Sequence, residues 1–279
     1  MANIFVTGAS GTIGSQVVAA LNDKPGFTVA AAGRSSNVPF DYADPRTYQA
    51  ADGHDAVFLL APPLDPNAHR LVLPFVDYLA AHGQPHLTYL SAYGMDQLTD
   101  LPLHQLVEQR LLAYRSADGG RATILRPGFF ATNFSNYERK GIEQRGMIYN
   151  PAGGGATAFV DPADVGRVAA ATLTDPSHAG QVYTLTGPRA YTMQEVAALL
   201  SDYTDRSVVY PQPSDEEYRA ALLSSGAPPF LPEYMIAVYG LIRQGRVDRV
   251  YDTVQQLTGR PATDLKDVLQ RDFRDRQSR

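Results

Sequence analysis

An α/β protein is predicted, with a doubly wound parallel sheet and a smaller, mainly helical C-terminal lobe. Short apolar runs of strand length alternate with amphipathic helical stretches through the first half of the chain, which is the pattern of βαβ units. A glycine-rich turn joins the first run to the first helical stretch. Beyond about Asn150 the alternation gives way to Pro-interrupted helical sequence, so a sheet domain is expected over 1–150 and a lobe over 151–279.

Residues 2–7 are apolar with β-branched members and end at Gly8, which reads as a buried parallel strand. Ile13, Val17, Val18 and Leu21 then recur at helical spacing until Pro25 and Gly26 stop the helix. A second strand over 27–32 is closed by Gly33, Arg34, Ser35 and Ser36, and a third over 56–61 ends abruptly at Pro62 and Pro63. A helix over 68–81 leads to a strand over 86–90 that ends at Ser91. Leu103, Leu106, Val107 and Leu111 make the next apolar helix face, and 122–125 is a strand ahead of Arg126, Pro127 and Gly128. After the Pro-Ala-Gly-Gly-Gly turn at 151–155, a helix over 162–173 and a strand over 181–185 are expected, with 162–187 packing back on the sheet. The chain has no internal repeat.

Composition excludes several classes of function. The 279 residues are 44% hydrophobic and 19% charged, which is ordinary globular composition. The absence of Cys removes disulfides, Cys-ligated zinc and thiol nucleophiles, and no metal site is expected. A net charge of −5 argues against general nucleic-acid affinity. No apolar run reaches about 18 residues, and the start of the chain lacks a basic-then-apolar leader, so a cytoplasmic protein with no membrane partner is expected.

Gly8, Ser10, Gly11, Thr12, Ile13 and Gly14 lie in a GxxGxxG turn between strand and helix. In that context glycines let the backbone approach a pyrophosphate, and the helix start aims free N–H groups at it, as in Rossmann-type dinucleotide-binding domains. About 20 positions on, an acid would bind an adenosine 2′-hydroxyl and an arginine a 2′-phosphate. Arg34 and Ser35 stand there with no acid nearby, so NADPH (NADP+) is expected over NADH.

This spacing resembles the short-chain dehydrogenase/reductase superfamily, whose usual members reduce carbonyls with a Tyr-x-x-x-Lys pair. The chain has only Lys24, Lys140 and Lys266, and four residues before them stand Ala20, Asn136 and Ala262. The pair is absent. In its place are His104 and Glu108; with Ser91 and Ala92, the turn from Leu125 to Phe134, Phe159 to Asp161, Leu185 to Pro188 and Leu257 to Pro261, they resemble the NmrA-like atypical family. That family includes NADPH-dependent quinone, azo-dye and triphenylmethane reductases and agroclavine-type iminium reductases, together with regulators that bind the dinucleotide without turnover.

The resemblance implies that Ser10, Thr12 and Ile13 meet the pyrophosphate, Asp41 and Tyr42 flank adenine, and Ala61 and Pro62 line the ribose. Pro127 to Phe129 would touch the nicotinamide amide, and His104 in the lysine's place would reach the ribose hydroxyls, oriented by Glu108 or merely in helical i,i+4 contact with it. Ser91 and Tyr93, at the end of a strand, are candidate proton donors by position. Phe129, Phe130, Phe134 and Tyr137 would wall a planar acceptor, and Tyr218, Tyr234, Tyr239 and residues 227–232 would be lid elements. Three readings stay open at this point. One is an NADPH-dependent oxidoreductase that delivers hydride to a conjugated or cationic small molecule, acting as a monomer or homodimer. The others are a dinucleotide-sensing regulator and a redox-derived enzyme that catalyses a non-redox step.

Overall fold

The apolar runs pair side by side as parallel strands. The computed structural model describes residues 1–63, 65, 67–98, 103–120 and 122–274. In chain order, β1 (Ala2–Val6) feeds α1 (Thr12–Asn22), β2 (Phe27–Gly33) and β3 (Val38–Pro39). Then come β4 (Ala56–Leu60), α2 (His69–Ala81), β5 (His86–Leu90), α3 (Leu103–Leu112) and β6 (Thr123–Pro127). The chain continues through α4 (Asn133–Asn136), α5 (Arg139–Arg145), β7 (Ala156–Thr157), α6 (Pro162–Thr174), β8 (Val182–Leu185) and β9 (Tyr191–Thr192). It ends with α7 (Met193–Thr204), α8 (Asp215–Ser224), α9 (Leu231–Arg243), α10 (Thr253–Thr258) and α11 (Leu265–Leu269).

By compactness the chain divides into two units. The first takes Met1–Pro127, Pro162–Leu185 and Thr253–Arg260; the second takes Gly128–Asp161, Thr186–Asp252 and the chain from Pro261 on. The first boundary falls at the end of β6, ahead of the change in sequence texture near Asn150.

The first unit holds a seven-stranded sheet of order β3-β2-β1-β4-β5-β6-β8, with every pairing parallel. The strand order reverses between β1 and β4, the switch point where ligands bind in such sheets. Ile4, Phe5, Val6, Val57, Phe58, Leu59, Leu87 and Tyr89 are fully buried, as expected of strands covered on both faces. One feature has no counterpart in the sequence reading: β3 is a two-residue strand, followed by a 3-10 turn over Pro45–Ala51 that Asp44 caps through the N–H of Arg46. It is held by aromatic packing, with Phe40 4.7 Å and Tyr48 4.9 Å from Phe75 on α2, centroid to centroid. A buried Phe side chain contributes about 1.5–3 kcal/mol, enough to order a loop that propensity leaves open.

The second unit is mainly helical, with a two-stranded antiparallel ribbon, β7 with β9. Capping boxes start two of its helices: Thr192 with Glu195 for α7, and Ser214 with Glu217 for α8. Each satisfies two N–H groups that a helix start leaves orphaned. No helix among the described residues is long and apolar enough to cross a membrane.

Candidate functional site

The residues singled out in the first unit collect at one edge of the sheet. Gly8 follows β1, Arg34 follows β2, Ala61 follows β4, Ser91 follows β5 and Pro127 ends β6. These are the carboxyl ends of the strands, where open α/β sheets bind ligands. The register is even there, because the Ser91 N–H donates to the Leu125 carbonyl and the Tyr93 N–H to the Pro127 carbonyl, both at 2.8 Å.

The glycines have distinct jobs. Gly8 sits at φ +63°, in the left-handed region that favours glycine. A Cβ on Gly14 would lie 2.1 Å from the Gly8 carbonyl oxygen, so the helix can rest on the turn only without a side chain there. No side chain caps α1 at Gly11, and a helix start leaves its first N–H groups without intrahelical partners. Ser10, Gly11 and Thr12 are exposed around that start, whereas the Ile13 side chain is buried. Ile13 can therefore offer a ligand only its backbone. Gly14→Ala is expected to cost about 1–3 kcal/mol through overpacking, read as a lower thermal midpoint; an unchanged midpoint would show that the turn has slack.

Arg34 is exposed and makes no hydrogen bond or ion pair among the described residues, so its guanidinium stands unpaired beside exposed Ser35. Asp41 accepts from the Ala43 N–H at 2.9 Å, a local turn bond. Tyr42 is fixed more firmly. Its hydroxyl donates to Thr7 Oγ1 at 3.1 Å, and Thr7 in turn donates to the Phe58 carbonyl and accepts from the Leu60 N–H. Burial holds that phenol protonated far above its ordinary range. Ala61 is buried and Pro62 half-buried just past β4.

The polar centre of this edge departs from the sequence reading. Glu108 does not orient His104. Its carboxylate accepts from the Ser91 hydroxyl at 2.5 Å and from Arg126 through Nε at 3.0 Å and Nη2 at 2.5 Å. Arg126 also donates to Asp96 at 2.9 Å. Three elements thus meet in one network: β5 through Ser91, α3 through Glu108 and β6 through Arg126. The helical spacing of His104 and Glu108 suggested a pair, but partners on the neighbouring strands take the carboxylate instead. The orienting partner of His104 is Tyr89, whose hydroxyl lies 2.8 Å from Nδ1. Desolvation lowers the imidazole pKa to about 4, so His104 is neutral near pH 7 and does not switch there. Nε2 has no protein partner among the described residues. Ser91 commits its proton to Glu108 and presents only lone pairs, while Tyr93 is half-buried.

In the second unit, Phe134 is buried in the core and packs at a tilt against Phe159, centroids 5.1 Å apart, while Tyr137 is 70% exposed. Phe129 is half-buried and stacks on Tyr239, centroids 5.8 Å apart. Tyr218 and Tyr239 are buried rather than lid-like, and they flank Glu138. Sequence reasoning missed Tyr89, Arg126, Thr7 and Glu138. Only Arg126 carried a signal: a cation inside a buried strand requires a partner.

No family model matches the chain. It is 33% identical over 271 residues, 93% of its length and 94% of the relative's, to an NAD(P)H azoreductase of Xenophilus azovorans. It is 32% identical over 276 residues, 95% of each chain, to (4-alkanoyl-5-oxo-2,5-dihydrofuran-3-yl)methyl phosphate reductase of Streptomyces griseus. Among solved structures it matches an NADPH-dependent quinone oxidoreductase from Escherichia coli, complexed with NADPH, with TM-score 0.82 and 26% identity over 96% of this chain and 99% of that one.

Proposed function

The chain belongs to the NmrA-like atypical short-chain dehydrogenases/reductases and is a nicotinamide-dependent oxidoreductase; from that premise we propose that it reduces a conjugated or cationic small molecule, such as a quinone, iminium, enone or azo compound, with NADPH. The residues fit the cofactor: Gly8 takes the left-handed turn that α1 packs against, Ser10, Gly11 and Thr12 are exposed there, and no side chain caps the helix start. Residues 1–150 would carry the dinucleotide and 151–279 the acceptor. Gly8, Ser10, Gly11, Thr12, Ile13 and Gly14 would hold the pyrophosphate, Arg34 and Ser35 the 2′-phosphate, and Asp41 the adenine side. Ala61, Pro62 and His104 would line the ribose, and Pro127 and Phe129 the nicotinamide. When bound, NADPH supplies a hydride.

The observation that carries the reading is the His104 ring in the lysine's place, held by the Tyr89 hydroxyl 2.8 Å from Nδ1 and kept uncharged by burial. A lysine at this place would hold a phenol's pKa down; an uncharged ring held by Tyr89 offers one N–H and no charge. Strong proton donation at this edge is therefore not available from His104 or from Ser91, and Tyr93 would be the candidate donor. Acceptors that are already electron-poor suit such an edge.

The test follows reduced-nicotinamide absorbance over a panel of quinones, iminium compounds and azo dyes, with NADPH and NADH in parallel. Arg34→Ala is expected to raise the NADPH dissociation constant about 10- to 100-fold, the worth of a charge-assisted bond, and to leave NADH unchanged. Equal losses for both nucleotides would remove Arg34 from phosphate recognition. Binding without nicotinamide oxidation across the panel would discard the redox reading.

A further inference from the structure

The His104 ring has two nitrogens, and among the described residues only Nδ1 meets a protein partner. The helix that presents the ring is itself fixed at several points. Gln105 donates to the Met95 and Leu98 carbonyls at 3.1 and 3.3 Å, and Glu108, one turn on, accepts from Ser91 and Arg126. Val107 and Leu111, on the same face of α3, are buried in the core that also holds Tyr89. The backbone of His104 is therefore set, and the freedom left is rotation of the ring. Tyr89 removes it. This residue is fully buried in the middle of the sheet, in register with Leu59 of β4 and Ile124 of β6, and its hydroxyl stands 2.8 Å from Nδ1.

A bond between a hydroxyl and an imidazole nitrogen can run in two directions, with opposite consequences. If Nδ1 carried the proton, Nε2 would be a bare acceptor; if the hydroxyl donates, the ring proton sits on Nε2. Chemistry favours the second. A phenol O–H is a stronger donor than a neutral imidazole N–H, and an imidazole nitrogen is a stronger acceptor than a phenol oxygen. A buried hydroxyl also has to place its proton on an acceptor, and Nδ1 is within reach of this one. The ring stands in the first turn of α3, where the positive end of a helix disfavours an imidazolium, and burial acts in the same direction.

We propose that Tyr89 is a positioning residue of the cofactor site: it donates to Nδ1 and so fixes His104 as the Nε2–H tautomer, an uncharged donor offered to the oxygens of the nicotinamide ribose. This rests on the place given to His104 at the ribose in the reading above. Nε2 keeps its proton throughout, so His104 supplies a hydrogen bond and neither gives nor takes a proton in the reaction. A lysine brings three donors and a charge of its own, and no tautomer has to be chosen for it. An imidazole needs the choice made, and Tyr89, two residues ahead of Ser91 on the same strand, makes it.

The free protein gives the first test. Nitrogen NMR of the wild type with isotope-labelled histidine, at pH 8, is expected to show an unprotonated Nδ1 and a protonated Nε2 for His104, assigned by their loss in His104→Gln. Adding NADPH should shift the Nε2 proton resonance and leave the tautomer as it was. Tyr89→Phe keeps the ring and drops the hydroxyl. It should give a mixture of tautomers and raise the NADPH dissociation constant about 5-fold, the worth of one neutral hydrogen bond. In turnover the loss should fall on KM for NADPH more than on kcat. An Nδ1–H tautomer in the wild type overturns the proposal, whether or not the variant folds. So does a Tyr89→Phe protein whose tautomer or NADPH affinity is unchanged. NADPH binding that leaves the Nε2 resonance unmoved overturns it too, with the reductase reading intact. A wild type that binds neither NADPH nor NADH overturns that reading itself, while the tautomer is still read in the free protein.

Discussion

Glu108→Ala lowers stability by about 3 kcal/mol, the lower end of the cost of breaking a buried ion pair by removing one partner. The lower end applies because the Arg126 side chain keeps 23% exposure and retains Asp96. The Ser91 hydroxyl loses its acceptor as well, which leaves a buried donor unmade. Urea unfolding should show the drop as a lower midpoint with unchanged slope. Glu108→Gln, which keeps an acceptor for Ser91, should lose less. Combining Glu108→Ala with Arg126→Met tests the pair itself, since removing both charges should cost less than the two single changes added. Strict additivity would show that the two residues do not act on each other.

The second expected result concerns acid. A base whose folded pKa lies below its unfolded value contributes stability that is complete above the unfolded pKa. It is lost as pH falls, because the unfolded chain takes the proton first. For His104 the window runs from the ordinary value of 6.5 down to about 4, and the loss across it is about 3 kcal/mol. His86, also lowered by burial, acts in the same direction. The clean measurement is therefore the difference between the wild type and His104→Gln, followed by denaturant midpoint from pH 7 to pH 4. The variant's curve should be flatter by that amount. Parallel curves would mean that the imidazole is solvated and its place at the edge is incidental.

The sheet was legible because buried parallel strands leave continuous apolar runs, and because Gly8, Pro62, Ser91 and Pro127 punctuate them where each strand ends. The turn from Gly8 to Gly14 was legible for the same reason its geometry is strict: spacing records the close approach of α1 to the turn. β3 left no such trace. Two residues, one of them Pro39, carry no period, and the loop is ordered by Phe40 and Tyr48 meeting Phe75 across distant sequence. The His104–Glu108 relation failed differently. Helical spacing says which side chains share a face, but it is silent about Tyr89 and Arg126 on adjoining strands, and those decide where each side chain points. Glu138 looked like any loop carboxylate, since burial of one acid among phenols has no signature in a single sequence.

The route of the chain has a consequence for how this protein can be made. α10 belongs to the first unit and rests there on α6, burying Thr253 and Val254. It is translated only after most of the second unit has left the ribosome. A truncation after Leu185, however tidy on a sequence map, would leave the flank of α6 bare and yield a sticky, protease-sensitive fragment. Domain-swapping or fusion work should treat 253–260 as part of the amino-terminal module and carry it along.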